Sequence, residues 1–277
     1  MNLPAPSPEA SAHSLTLVAA IAREIGAGGG WISFARFMEM ALYQPGLGYY
    51  SAGARKFGAA GDFVTAPEMT AYFGRALARQ VAQVMTASAP HVLEVGAGSG
   101  RLAADLLLEL ERLDALPERY EILDLSADLR ERQQATLAAA APHLLARVRW
   151  LDRLPETFSG AVVANELLDA MPAHVVAWRE DGIFERGVGL DGSGGFTWNE
   201  RPATGALLVA AEELGRQCCL PPGYESEISL AARAWAGEWG HRLQRGALLL
   251  IDYGFPRCEF YHQQRGRGCR RPSFFRS

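Results

Sequence analysis

The 277-residue sequence predicts an α/β fold built on a doubly wound, Rossmann-like parallel sheet. Two observations predict it. Between residues 91 and 165, short apolar strand-like runs alternate with segments of helical periodicity, the pattern of parallel βαβ units. Within that stretch HVLEV runs into Gly96, Gly98 and Gly100 at alternate positions, and RLAADLLLEL follows at once. A strand, a tight glycine turn and a helix start are how such folds bring backbone amides up to a cofactor.

The elements follow in order. Residues 1–14 carry Pro, Ser and Ala without periodicity and read as a disordered leader. A helix over Leu15–Ile25 stops at GAGGG, and Ser33 caps a second helix, FARFMEMALY, with Phe34, Phe37, Met38 and Leu42 on one face. The stretch from Tyr43 to Met69 has too many Gly and Pro to be regular and reads as a long functional loop. A helix over Thr70–Thr86 leads to the strand His91–Val95. Helices at 101–113 and 127–139 then alternate with strands at 120–125, 147–150 and 161–165. Residues 174–200 break the alternation with turn signals and read as an antiparallel meander. A helix over Glu227–Gln244 returns to a last strand, Ala247–Tyr253. The expected divisions are a leader at 1–14, a helical and lid region at 15–88, the Rossmann-like core at 89–173, a β-rich insertion at 174–226, the last helix and strand of the core at 227–268, and an aberrant tail at 269–277.

Composition narrows the function classes. The net charge of −4 argues against a nucleic-acid footprint, and no apolar run is long enough to cross a bilayer. The N-terminus lacks the basic and apolar blocks of a secretory signal. Cys218, Cys219, Cys258 and Cys269 have no metal-ligand spacing, so a reduced, cytoplasmic protein without a metal site is expected.

The chemistry-bearing residues gather at strand ends. The glycine spacing E-x-G-x-G-x-G is tighter than the nicotinamide pattern G-x-G-x-x-G and matches that of S-adenosylmethionine-dependent methyltransferases. Side chains at Gly96, Gly98 and Gly100 would fill cofactor space; the plainer alternative is a turn that merely packs helix on strand. Glu94 ends the first strand, where a carboxylate suits a cationic or hydroxyl-bearing ligand. Asp124 ends the second, where it can accept hydrogen bonds from ribose hydroxyls or instead cap the next helix. Asp152 follows the third strand, near where an adenine amino group would lie. Asn165 and Glu166 end the fourth, where Glu166 could hold a guanidinium or take its proton. Asp62, Thr65 and Glu68 in GDFVTAPEM could close over the cofactor as a lid.

YQPGLGYYS, GDFVTAPE, LEVGAGSGRLAADLL, ANELLDAMP and LLLIDYGFPRCEFYHQQRGRG, in that order, resemble the MidA family of class I S-adenosylmethionine-dependent methyltransferases over roughly residues 20–268. Its mitochondrial members are protein-arginine methyltransferases needed for respiratory complex I assembly. The resemblance implies the class I methyltransferase fold with an N-terminal helical region and a β-meander insertion. It implies S-adenosyl-L-methionine (SAM) as cofactor, held by Gly96, Gly98, Gly100 and Asp124, with Gly61, Asp62 and Glu68 closing the site and Asn165 and Glu166 facing methyl group and substrate. The implied partner is a protein presenting an arginine side chain; oligomeric state is not legible. Two positions depart from the family pattern, Ala66 for Ser or Thr and Asp124 for Glu. Members also run on well beyond Gly268 and complete the sheet, so CRRPSFFRS reads as a shifted frame or truncation, with the last strands missing and 247–253 left as an apolar edge. A non-catalytic SAM-binding assembly factor and a nicotinamide-dependent oxidoreductase are the competing readings.

Overall fold

A computed structural model describes residues 7–51, 65–124, 126–262 and 265 of the chain. In chain order the elements are α1 (Pro8–Ala27), β1 (Ile32–Ser33), α2 (Phe34–Tyr43), α3 (Ala66–Met69), α4 (Ala71–Ala87), β2 (His91–Val95), α5 (Arg101–Arg112), β3 (Arg119–Leu123), α6 (Ala127–Ala140), a 3-10 turn at Pro142–Arg147, β4 (Val148–Leu151) and β5 (Phe158–Asn165). There follow β6 (His174–Arg179), β7 (Gly182–Leu190), β8 (Phe196–Pro202), α7 (Gly205–Cys218), β9 (Glu225–Ile228), α8 (Leu230–Arg242), β10 (Leu243–Ile251) and α9 (Arg257–Phe260). The chain divides into two compact units. One takes residues 1–52, 170–234 and 254–277, the other 53–169 and 235–253.

The second unit is the expected α/β core. Its sheet runs β10-β5-β2-β3-β4, and every neighbouring pair is parallel. Alternating side chains explain how the sheet is covered. Val92, Tyr120, Ile122, Ala161 and Val163 pack on Ala78 and Val81 of α4 and on Leu102, Leu106 and Leu110 of α5. Leu93, Val95, Val162 and Ala164 face the other way, onto Trp239 of α8. These side chains are almost fully buried, and each contributes about 1.5–3 kcal/mol of transfer free energy when it is a Val, Leu or Ile. Chain crossovers leave β2 toward β3 and β5 toward β10, so the strand order switches between the neighbours β2 and β5. Open α/β sheets bind ligands outside the carboxyl ends of the strands at such a point.

The first unit is an antiparallel sheet, β1-β7-β6-β9 with β8 also on β7. The hairpin β6–β7 turns at Glu180–Asp181, and β8 completes the meander expected at 174–200. Leu207, Ala210, Ala211 and Leu214 of α7 cover Val176 and Trp178, while Ala20, Ile21 and Ile25 of α1 and Phe37 and Met40 of α2 cluster with Ile32 and Val188.

Several expectations are corrected. The leader 1–14 is helical from Pro8 in its described part: the Ser7 hydroxyl accepts the Ala10 N–H at 3.2 Å and Pro8 occupies the first turn, so the Ser-Pro pair read as fraying is a helix start. The inward face of α2 is Ala35, Phe37 and Met40, with Met38 and Leu42 only partly covered. The region 174–226, expected to be β-rich, contains β6, β7, β8 and the start of β9 and also α7. The helix expected from Glu227 begins at Leu230, since Glu225–Ile228 pairs with β6 as β9. The domain divisions regroup as well. Residues 15–51 belong with the meander, through the pairing of Ile32 with Val188, and residues 65–88 belong with the parallel sheet. The tail 269–277 lies outside the described residues.

Candidate cofactor site

The carboxyl ends of β2, β3, β5 and β10 form one rim of the parallel sheet. After β2 the chain turns through Gly96, Gly98 and Gly100, all in left-handed backbone (φ 72°, 54° and 82°). The three glycines do different work. A Cβ on Gly100 would lie 2.9 Å from the Gln133 Cα, so this glycine lets α5 start directly against α6. At Gly100 the side-chain position is thus taken by α6 and not by cofactor space. A Cβ on Gly96 would meet the Leu167 side chain at 3.0 Å, which places the turn after β5 against the turn after β2. Among the described residues, none has an atom within 4 Å of a Cβ on Gly98. Gly98 is therefore the one of the three whose side-chain position no described residue fills.

Glu94 does not reach that space. It is penultimate in β2 and only 2% exposed, and its carboxylate accepts a 2.5 Å hydrogen bond from the Tyr120 hydroxyl, two residues off register on β3. The hydroxyl partner anticipated for it is thus a protein side chain. Burial pushes the Glu94 carboxyl up to about 7, opposed by the Tyr120 hydrogen bond and aided by the nearby Asp124 charge.

Asp124 sits just past β3 and is largely buried. Its Oδ1 accepts the Ser126 N–H at 3.2 Å, while α6 itself is capped by the Ser126 hydroxyl on the Leu129 N–H, and its Oδ2 accepts the Gln133 side-chain amide at 2.8 Å. Arg130 spans the ends of β3 and β4: it donates to the Asp124 carbonyl at 2.9 and 3.0 Å, to the Leu151 carbonyl at 2.6 Å and to the Asp152 carboxylate at 2.6 Å. Asp152, expected near an adenine, is an exposed partner of this arginine.

Glu166 follows β5 in left-handed backbone, φ 49°, which a non-glycine side chain seldom adopts. Its N–H donates to the Ile251 carbonyl of β10 at 2.8 Å. Burial raises its carboxyl above the ordinary carboxylate range and the Asp252 charge adds to this, while hydrogen bonds from Asn165, the Ala66 N–H and Tyr253 oppose it. Asp252 in turn accepts the Leu168 and Asp169 N–H groups at 2.7 and 3.3 Å, holding the turn that carries Glu166.

The short helix α3 reaches the glycine turn after β2. The Glu68 carboxylate accepts the Ser99 hydroxyl inside the glycine turn. The end of the expected lid is therefore fastened to that turn through Glu68. Gly61 and Asp62 lie outside the described residues. Arg130, Gln133, Asp252 and Tyr253 were not picked out from the sequence. Gln133 did leave a signal there: it is the one polar member of the inward stripe Leu129, Gln133, Leu137 of α6. No group of described residues has the composition of a metal site.

These residues fit a nucleoside cofactor with an amino-acid tail. The Gly98 side-chain position is filled by no described residue, Asp124 beside it is held by Gln133, and Glu68 and Glu166 lie on the same rim. Comparison with known proteins points the same way. Residues 76–269 match the family described as "Putative S-adenosyl-L-methionine-dependent methyltransferase". A protein of Burkholderia thailandensis, crystallised with S-adenosyl-homocysteine bound, superposes with a TM-score of 0.90 at 49% identity, over 96% of this chain and 70% of that one. The chain is 30% identical over 258 residues to protein arginine methyltransferase NDUFAF7, mitochondrial, of Danio rerio, covering 81% of this chain. It is 29% identical over 203 residues to the NDUFAF7 homologue of Drosophila melanogaster. The chain spans 59% of the zebrafish protein's length and 46% of the fly protein's.

Proposed function

Since the chain belongs to this S-adenosyl-L-methionine-dependent methyltransferase family, we propose that it methylates an arginine side chain of a protein partner. The observation that carries this reading is Gly98, a left-handed glycine whose side-chain position no described residue fills, on the same rim as Asp124 and Glu166. When bound, SAM supplies a sulfonium methyl group to an uncharged nucleophile, a reaction that needs orientation more than covalent help. Backbone at Gly96 and Gly98 would hold the amino-acid part of the cofactor, and Asp124 would accept its ribose hydroxyls. Glu68, tied to Ser99, keeps α3 across the turn and water out. Asp152 contributes through Arg130, which fixes the end of β3.

Glu166 is the acceptor-side group. As a carboxylate it accepts two hydrogen bonds from a guanidinium and takes the proton released when the nitrogen is alkylated. Its left-handed backbone is the kind of local strain that persists where function demands it. The arginine assignment is supported by the names of the animal relatives. A cytoplasmic setting is supported by the free thiols of Cys218, Cys219 and Cys258 and is checked by cell fractionation.

The test is calorimetric binding of S-adenosyl-homocysteine (SAH), then methyl transfer from labelled SAM to arginine-containing peptides. Glu166→Gln is expected to keep SAH affinity and lose at least tenfold in kcat. Because burial raises the Glu166 carboxyl, the acid limb of kcat/KM should lie above the ordinary carboxylate range and vanish in that variant. SAH binding with no transfer to any peptide would favour a binding factor that keeps the fold.

A further inference from the structure

Gln133 is the only polar side chain among the buried residues of α6, and it is completely shielded from water. A leucine there would continue the stripe from Leu129 to Leu137 and avoid burying an amide, which is unfavourable unless every polar atom is paired. Every one is paired. The indole N–H of Trp150 donates to Oε1 at 2.9 Å, and Nε2 donates to the Asp124 carboxylate at 2.8 Å and to the Gly98 carbonyl at 3.1 Å. An indole N–H can only donate, so Oε1 must face Trp150, and the two amide hydrogens are left for two acceptors. The three partners agree on a single orientation.

Those two acceptors belong to different loops. One is the Gly98 carbonyl after β2, the other the carboxylate after β3. We propose that Gln133 is a positioning residue for the cofactor: held by Trp150, it fixes the Asp124 carboxylate against the Gly98 turn, so that the groups meeting ribose and amino-acid tail are set at one spacing before anything binds. This rests on the cofactor reading above and adds to it a residue that touches no ligand. Groups held in place beforehand forfeit less ordering entropy on binding, and specificity for a hydroxyl depends on an acceptor that cannot turn away.

Two variants separate positioning from mere packing. Gln133→Met keeps length and loses all three hydrogen bonds. Gln133→Glu keeps the shape and the acceptor for Trp150, but when ionised it sets a second carboxylate against Asp124. The charged neighbours already present are Glu94, whose charge state is coupled to that of Asp124, and Arg130 on the Asp124 carbonyl. Acidification therefore restores a donor in Gln133→Glu, as one proton is shared between two close carboxylates.

The experiment measures calorimetric affinity of the full chain for SAH and for its 2′,3′-dideoxyribose analogue, with circular dichroism as a check on folding. The wild type is expected to prefer SAH by about tenfold or more, the scale of one well-made hydrogen-bonding site. In Gln133→Met that preference should collapse to within about threefold, most of the loss falling on SAH. In Gln133→Glu, SAH affinity should rise as pH is lowered from 8 to 6 by more than in the wild type. The Trp150 indole ¹⁵N resonance, assigned with Trp150→Phe, should move on SAH binding in the wild type and not in Gln133→Met. Wild-type protein that binds no SAH overturns the cofactor reading and this inference with it. Wild-type binding with the ribose preference intact in folded Gln133→Met, or no added pH response in Gln133→Glu, overturns the inference alone.

Discussion

Two glycines two residues apart show how much a single Cβ decides. Gly98 and Gly100 share the left-handed backbone, where an alanine is disfavoured by about 1–2 kcal/mol. At Gly98 no described residue opposes the methyl group, so Gly98→Ala should unfold only slightly earlier in urea while losing at least tenfold in SAH affinity. At Gly100 the same methyl meets the Gln133 backbone, and Gly100→Ala should lose about 3 kcal/mol as overpacking joins the strain. The motif was legible in the sequence; which of its glycines packs against α6 was not, because that depends on a helix thirty residues further on. Glu94 carries a second prediction. Its carboxyl lies at about 7 in the folded chain against 4.5 in the unfolded reference, so across that window the folded state binds more protons. The contribution is fully present below pH 4.5 and is lost as pH rises through 7. Glu94→Gln removes that slope, and relative to the wild type it should gain on the order of 1–3 kcal/mol between pH 5 and pH 8 in urea unfolding. An unchanged slope would mean that another group controls it.

Among the elements, those legible in the sequence are the ones whose signal is local. The strand His91–Val95 and the starts of α5 and α6 lie where periodicity and turn residues place them. The elements that were missed depend on partners far along the chain. The four residues of β9, two of them glutamates, are a strand because Ser226 and Ile228 bury against β6. Thr204 makes no capping hydrogen bond, so α7 begins without the usual start signal and is held by Leu207, Ala210, Ala211 and Leu214 packing on the sheet. The site residues divide in the same way: the ends of β2, β3 and β5 were legible, whereas Asp252 and Tyr253 follow a strand whose alignment with β5 sequence patterns do not reveal. The helix α8 offers a test of how such an element is held. Trp239 is 2% exposed, edge-on to Phe158 and Trp235 at 6.4 and 5.9 Å, and among the described residues its indole N–H has no hydrogen-bond partner. Trp239→Ala should destabilise by about 3–5 kcal/mol through the cavity it leaves. Trp239→Phe keeps most of the ring contact and removes an unsatisfied donor, so it should be destabilised by less than about half as much in the same urea titration.

At the scale of the whole chain, the residues assigned to the cofactor all come from the unit built on the parallel sheet, while the antiparallel unit has hydrophobic clusters of its own under α7 and beside α1 and α2. Ligand linkage turns that distribution into a measurement. A ligand that binds only folded protein adds about 2.7 kcal/mol at a concentration of one hundred times its Kd. For a domain of this size each kcal/mol moves Tm by roughly 2–4 °C, so SAH should raise the transition of the parallel-sheet unit by roughly 5–10 °C. Differential scanning calorimetry reads the shift, and its dependence on ligand concentration separates linkage from a general solvent effect. Asp124→Asn preserves an acceptor for Gln133 and removes the charge that favours ribose hydroxyls, so its shift at the same SAH concentration should fall by more than half while the ligand-free Tm stays within about 3 °C of wild type. NADH at equal concentration should leave the transition where it is, because the three glycines are spaced more tightly than a pyrophosphate-binding turn requires. A larger shift with NADH than with SAH would transfer the site to nicotinamide chemistry and remove the roles given to Asp124 and Glu166 together.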